Sequence, residues 1–399
     1  MSNEAISVPP HVPRDRIYDF NLFTDPRLMR DPQRSLVSIL HEAPPIFYTP
    51  RNGGHWMVTR SADALEILRQ PENFSSDPQY NWNYQRKPRT IPNQYDPPDH
   101  SALRQILNPF FSPGAMKRGE PKIRAYAIDL IDEVIRSGKV EFVSQIAQRF
   151  PVQIFLDMAG SPQSDGERVM KLADGFVRNT EREDRLKAME VLGDYLNDEF
   201  ARRRRAPGED LLSHLLKATF NGRPLDDDEL SGAGTILFLG GLDTTASALS
   251  FTMNFLGRNP GHYQRLVADP DFIPAAVEEL LRAHGGAMFE RGVTHDMEYK
   301  GLALKKGERL VFLSHFYGYD DDEVPDPLKI DFDREISRHM IFGAGPHRCL
   351  GSHLARIEIR VFLEEWVKRV PEFSVIGDLV SRPGVVWMPV DLHLVWRTD

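Results

Sequence analysis

The chain has one cysteine, Cys349, in the run Phe342-Gly343-Ala344-Gly345-Pro346-His347-Arg348-Cys349-Leu350-Gly351. A lone cysteine makes no intrachain disulfide and cannot complete a multi-thiolate zinc or iron–sulfur site. It can give one thiolate to a metal that carries its other ligands with it, and heme, held by a single proximal ligand, is the candidate of that kind. Gly345 and Gly351 remove side chains where backbone must turn sharply or approach a flat ligand. Downstream, Leu354, Ile357, Val361 and Leu363 recur at roughly helical spacing as far as Pro371, so Cys349 lies just ahead of a helix. The free N–H groups and positive end of that helix favour a thiolate over a thiol. A buried structural cysteine beside a glycine turn is the plainer alternative, and the pattern Phe-x-x-Gly-x-x-x-Cys-x-Gly weighs against it.

A second constraint lies in residues 228–258, which read as one long helix containing Gly240-Gly241-Leu242-Asp243-Thr244-Thr245. Asp and Thr are mediocre helix formers, so an acid and an alcohol side by side in an apolar helix need a reason. Thr244 can turn its hydroxyl back to the carbonyl of Gly240, four residues earlier. The two glycines let a flat ligand approach the backbone, and Asp243 and Thr244 could then relay protons to something bound there. Taken alone, the motif serves equally well as a helix-packing Gly-Gly contact with a surface aspartate.

Together, the cysteine run, with basic His347 two residues before Cys349, and the Gly240–Thr245 motif resemble the cytochrome P-450 family. The resemblance extends from the segment near residue 50 to Leu394-Val395-Trp396 and is strongest to the soluble bacterial branch that hydroxylates camphor and related terpenoids. It implies a mainly α fold with small β-sheets, a triangular helical prism with heme b between the 228–258 helix and the Cys349 helix. It makes Cys349 the iron ligand, with Gly240, Phe342 and Gly351 in the cofactor's surroundings. His100 and Arg104, four apart on one helical face, resemble the family's propionate ligands, as do Arg291 and His347. Glu279 and Arg282 resemble its structural Glu-x-x-Arg pair. The substrate pocket is expected to draw on Pro88, Ile236, Leu239, Ala287, Val385 and Val386, under an aromatic lid from Tyr80, Trp82 or Tyr84. Three departures stand out. Gly318-Tyr319-Asp320-Asp321-Asp322 replaces the usual Asn-Arg-Asp. Pro88 falls where the camphor hydroxylase keeps a ketone-binding tyrosine, and Phe289 falls where that enzyme places a carboxylate.

The activity so implied inserts one oxygen atom of O2 into a C–H bond of a small apolar substrate, a monoterpenoid. Electrons would come from NAD(P)H through a ferredoxin reductase and a [2Fe-2S] ferredoxin, which would dock near Arg104, Arg338, Arg348 and Arg356. A heme-thiolate peroxygenase or lyase and a non-catalytic heme sensor are the alternatives. The acid–alcohol pair counts against the former, and the lack of a visible second ligand or output segment against the latter. A formal net charge of −9 excludes a general nucleic-acid binder. The start, Met1-Ser2-Asn3-Glu4-Ala5, lacks a signal pattern, and the longest apolar stretch, Gly232 to Leu242, is far short of the ~20 residues a membrane span needs. A cytoplasmic monomer without membrane attachment is therefore expected, as a single domain over residues 1–399.

Along the chain, a proline-rich arm covers the first 15 or so residues, and 45–60 reads as a hairpin turning at Asn52-Gly53-Gly54. Helices are expected at 122–137, 166–178, 184–205, 228–258 and 274–283, in a helical core spanning about 101–283 and 350–370. Strands are expected over 292–316, with a closing hairpin over 385–396. Asp226-Asp227-Asp228 should open a helix, where negative charge suits the dipole. Arg202 to Arg205 reads as a solvated helix end.

Overall fold

Asp226 starts the longest helix among the described residues in the way its sequence predicts. Its carboxylate accepts from the Glu229 N–H at 2.9 Å, and the Glu229 carboxylate accepts from the Asp226 N–H at 2.9 Å, a reciprocal cap. The helix runs over Asp227–Arg258 and stops at Asn259, ahead of Pro260. The structure is a computed structural model that describes residues 5–80, 88–177, 182–335 and 339–398. Within it this central helix is long and apolar enough to cross a membrane, but 67% of its most apolar window is buried inside the protein. Its hydrophobicity is used as core. Arg149–Ala159, Arg182–Arg205, Ile273–His284 and Ser352–Arg369 pack around it.

The sheets are small and peripheral. The main one has the order Ile46–Thr49, His55–Val58, Arg309–Leu313, Met288–Val293, Phe74–Ser75, and all neighbours are antiparallel except His55–Val58 against Arg309–Leu313. The first two strands form the expected hairpin, with Ile46 opposite Val58 and Thr49 opposite His55. Its turn holds Asn52, Gly53 and Gly54 all at positive φ, and a Cβ on Gly54 would lie 2.2 Å from the Tyr48 hydroxyl. The N-terminal arm is tied down, since Ile6 N–H donates to the Pro50 carbonyl and His11 lies 2.9 Å from Glu308.

Two expectations need correction. Residues 385–396 do not close on themselves as a hairpin. Met388–Pro389 pairs with Ser381–Arg382, while His393–Val395 lies between Ser374–Ile376 and Lys139–Glu141. Pro389 gives up a ladder donor, and the second half finds its partners in other parts of the chain. Nor is the Arg202–Arg205 run wholly solvated: Arg203 is 1% exposed. It donates to Glu199 at 2.8 Å, to Asp210 at 2.7 Å and to the Ala159 carbonyl, joining the ends of three helices. Leu196, Phe200 and Arg203 fall at i, i+4 and i+7, so the arginine completes a buried stripe.

Removing one partner of a buried ion pair strands the other charge, at a cost of about 3–5 kcal/mol. Arg203→Leu is therefore expected to lower the free energy of unfolding by about that amount, whereas Arg204→Leu, at an exposed pair, should change it by well under about 1 kcal/mol. Urea denaturation of the two variants checks the difference.

Candidate heme site

Cys349 is placed by its loop rather than by the helix behind it. Gly343 and Gly345 take positive φ (68° and 67°), and the Cys349 N–H donates to the Phe342 carbonyl at 2.8 Å. A Cβ on Gly345 would lie 2.2 Å from the Leu68 carbonyl oxygen, so only glycine lets the loop seat there. The Ser352–Arg369 helix starts three residues after the cysteine. Cys349 is exposed, yet the packed loop around it still desolvates the sulfur. That desolvation raises the thiol above its ordinary pKa, while the Gly351 N–H and the charges of Arg104, Arg348 and Arg356 favour the thiolate.

The central helix presents an open face. Phe238, Leu242 and Asp243 are buried, yet Ile236, Leu239, Gly241 and Thr244 are half-exposed and Gly240 is exposed. A Cβ on Gly240 or Gly241 would meet nothing within 4 Å, so space stands in front of both. Thr244 donates its hydroxyl to the Gly240 carbonyl at 2.8 Å. Leu239 packs in the same apolar cluster as Leu350 and Leu354, which brings the open face and the cysteine loop together. Asp243 is 5% exposed, which rules out the surface-aspartate alternative.

Beside the loop is a group of cationic and polar side chains. The His100 and His347 rings lie 4.0 Å apart, and His347 Nε2 is 3.2 Å from the Ser76 hydroxyl. Arg104 reaches the Pro346 carbonyl at 3.4 Å, and buried Arg291 donates to the carbonyl of Glu290 at 2.7 Å. Among the described residues neither arginine has an ion-pair partner, and both ring nitrogens of His100 are buried without one. Burial, then the neighbouring arginines, pulls His100 down to about 4, and His347 falls well below the usual imidazole range. Arg291 is lowered to about 10 by burial. Unmatched cationic donors beside an accessible sulfur and a bare helix face fit heme, whose two propionates require such partners.

The remaining sites divide. Glu279 and Arg282 form a buried bidentate pair, 2.8 Å at each contact, and Arg282 also donates to the Gly318 carbonyl at 2.5 Å. Ala287 and Val385 are half-exposed and adjoin each other, since the Met288 N–H donates to the Val385 carbonyl at 2.7 Å; Val386 is buried. Tyr80 and Pro88 are half-exposed, while Trp82, Tyr84 and Arg338 lie outside the described residues. Phe289 stacks on Phe312 at 5.2 Å. Asp320 and Asp321 both accept from Arg60 at 2.7 Å, so that departure ties the chain to the N-terminal half.

Sequence reasoning passed over Glu358. It is 2% exposed, and burial pushes its carboxyl up to about 8, against a hydrogen bond with Thr245 that lowers it. The signal was available: Leu354, Glu358 and Val361 fall at i, i+4 and i+7 on the inward face.

The cytochrome P450 family model matches residues 167–375. The chain is similar to "Probable cytochrome P450 127A1" of Sinorhizobium fredii, at 33% identity over 98% of this chain and 97% of that one. It is also similar to the steroid C26-monooxygenase of Mycobacterium tuberculosis, at 31% identity over 87% of this chain and 96% of that one. The crystal structure of CYP101J2 matches with a TM-score of 0.89 at 31% identity, covering 98% of this chain and 100% of that one. The chain belongs to the cytochrome P450 family. It is a heme monooxygenase, and its one cysteine, Cys349, is the thiolate ligand to the iron.

Other buried imidazoles lead to an expected loss of stability in acid. His55, His284 and His315 are lowered by burial to about 3. Below their ordinary value near 6.5 the unfolded chain takes up protons that the native state refuses, so stability falls as pH drops from about 6.5 towards 3. His284 lies between Phe251 and Phe255 at 6.3 and 5.7 Å, with both nitrogens unpartnered. His284→Phe is expected to leave the melting temperature unchanged or higher at pH 7.5 and to reduce its fall between pH 6.5 and 5. Calorimetry across that range checks the slope.

Proposed function

We propose that this enzyme hydroxylates a compact, largely apolar terpenoid, and that its half-exposed aliphatic side chains near the central helix select it. The observation carrying this reading is the half-exposed aliphatic set Ile236, Leu239, Ala287 and Val385, the last next to buried Val386 in the chain, together with the bare Gly240-Gly241 backbone. Binding then rests on buried apolar area, at roughly 25 cal/mol per Å². Pro88 has no N–H, and its side chain offers no hydrogen bond to a ketone. His100, Arg104, Arg291 and His347 hold the propionates, and Phe342 and Gly351 flank the ligand loop. Half-exposed Tyr80 contributes to the lid.

When bound, heme supplies the oxygen-activating redox chemistry. The chain's own residues handle substrate and protons. Thr244 gives its hydroxyl hydrogen to Gly240, which leaves Oγ1 able to accept a hydrogen bond on the open side. Asp243, buried one residue before it, passes protons toward that hydroxyl. Electrons come from an NAD(P)H-driven ferredoxin in the cytoplasm. Of the arginines expected to dock it, Arg348 is exposed without an ion pair among the described residues, Arg356 is held by Glu278, and Arg104 is half-buried. Arg348 therefore carries most of the steering, which weakens as salt rises.

Thr244→Ala is expected to keep heme and consume NADH while most reducing equivalents go to peroxide. Asp243→Asn should slow turnover by about 100-fold with an altered solvent isotope effect. Unchanged coupling in both variants would return the motif to helix packing. For the substrate, a monoterpenoid cyclic ether or hydrocarbon is expected to shift the heme from low to high spin at least as well as a ketone of equal size. It should also drive NADH use in a reconstituted ferredoxin system. A clear preference for camphor, or tight binding of fatty-acid-length or charged compounds, would refute the assignment.

A further inference from the structure

Arg356 is committed to an internal partner. Its Nε and Nη2 donate to the two oxygens of Glu278 at 2.5 and 2.9 Å, and its Nη1 donates to the Ser352 carbonyl at 3.1 Å. The same carboxylate lies 3.1 Å from Nε2 of His339, whose side chain is 3% exposed. So gripped, the guanidinium carbon lies 4.5 Å from the centre of the Phe342 ring, and His339 meets that ring at 5.9 Å. Phe342 is the residue whose carbonyl accepts the Cys349 N–H. Three segments, the Ile273–His284 helix, the cysteine loop and the Ser352–Arg369 helix, thus meet at one carboxylate.

We propose that Glu278 is a positioning residue for the thiolate: its carboxylate holds the Arg356 guanidinium against Phe342 and so fixes a positive charge beside Cys349 that sets the reduction potential of the iron. A fixed positive charge favours the state that has gained an electron, so it raises the potential. The bidentate fork matters because a guanidinium matches a carboxylate in one plane and stacks on an aromatic face at the same time, which an ammonium cannot do. The pair is about a third exposed at Glu278 and a quarter at Arg356, so charge alone would be screened, and geometry is what keeps it in place. His339 is the buried stop behind the carboxylate. The carboxylate itself sits well below the usual acid range, at about 2, through His339 and Arg356 acting against burial, so it stays charged at any working pH.

The test is spectroelectrochemical titration of the substrate-free holoenzyme, which is independent of what the substrate is. Arg356→Leu should move the potential to a more negative value. Arg356→Lys keeps the charge but loses the fork, and it should move the potential in the same direction. Glu278→Gln separates the two explanations by sign. If the carboxylate only positions Arg356, releasing the arginine lowers the potential. If it acted only as a nearby negative charge, its removal would raise it. Glu278→Asp should recover part of the wild-type value. Retention of the thiolate-type spectrum of the reduced carbonyl complex identifies the variants that still hold heme correctly. A positive shift or no shift in Glu278→Gln, or a wild-type potential in Arg356→Lys, would overturn the proposal. So would loss of the thiolate-type spectrum in both Glu278→Gln and Arg356→Lys, because the carboxylate would then serve the fold and not the potential.

Discussion

The site rests on a buried guanidinium. Arg282 is fully enclosed, and its charge is met by both oxygens of Glu279 and by the carbonyls of Gly318 and Pro327. Glu279 in turn accepts from the Asp331 N–H at 3.0 Å and from Arg334 at 3.2 Å. One ion pair therefore binds a helix, the short helix Ser314–Gly318 that follows the main sheet, and the segment that leads into the cysteine loop. A buried pair of this kind need not add net stability, since desolvation costs about as much as the attraction returns. What it gives is definition: few other arrangements of these segments satisfy the Gly318 and Pro327 carbonyls, the Asp331 N–H and the Arg334 side chain around two charges.

The same economy governs the cofactor side. Positive charge without carboxylate partners, as at Arg104 and Arg291, is unfavourable in the protein alone and becomes favourable only when an anion arrives. The Cys349 thiol is similar, since desolvation raises it and a bound metal would favour the thiolate. Strain of this kind makes the binding energy of heme part of the folding energy.

Much of this was legible in the sequence where residue type and spacing carry chemistry. The cysteine loop could be placed because it needs particular atoms at fixed offsets, whereas the Gly-Gly-x-Asp-Thr motif divides evenly between two readings until the family resemblance is added, and only that resemblance singles out the Glu279–Arg282 pair. Helix positions followed from periodicity and from the Asp226 cap. What escaped was tertiary. Nothing local shows that Arg203 meets Asp210 and the Ala159 carbonyl, that His393–Val395 seeks Lys139–Glu141, or that Arg356 is bound to Glu278 and so is not free for a partner protein. Buried polar residues at apolar positions of a helix, Arg203 and Glu358, are the common case. The spacing marks them as inward-facing while their chemistry reads as surface, and burial in each is decided by neighbours far along the chain.

The order of strands in the main sheet has a consequence for how the protein is made. His55–Val58 finds its parallel partner only in Arg309–Leu313, roughly 250 residues later. At about 5–20 residues per second on the ribosome, the hairpin edge waits on the order of ten to fifty seconds with its hydrogen-bonding groups unmet. Cys349 emerges later still. The nascent chain thus passes through a stage in which an apolar strand edge is exposed and no cofactor can yet bind, and a chaperone that shields such edges has a defined interval in which to act.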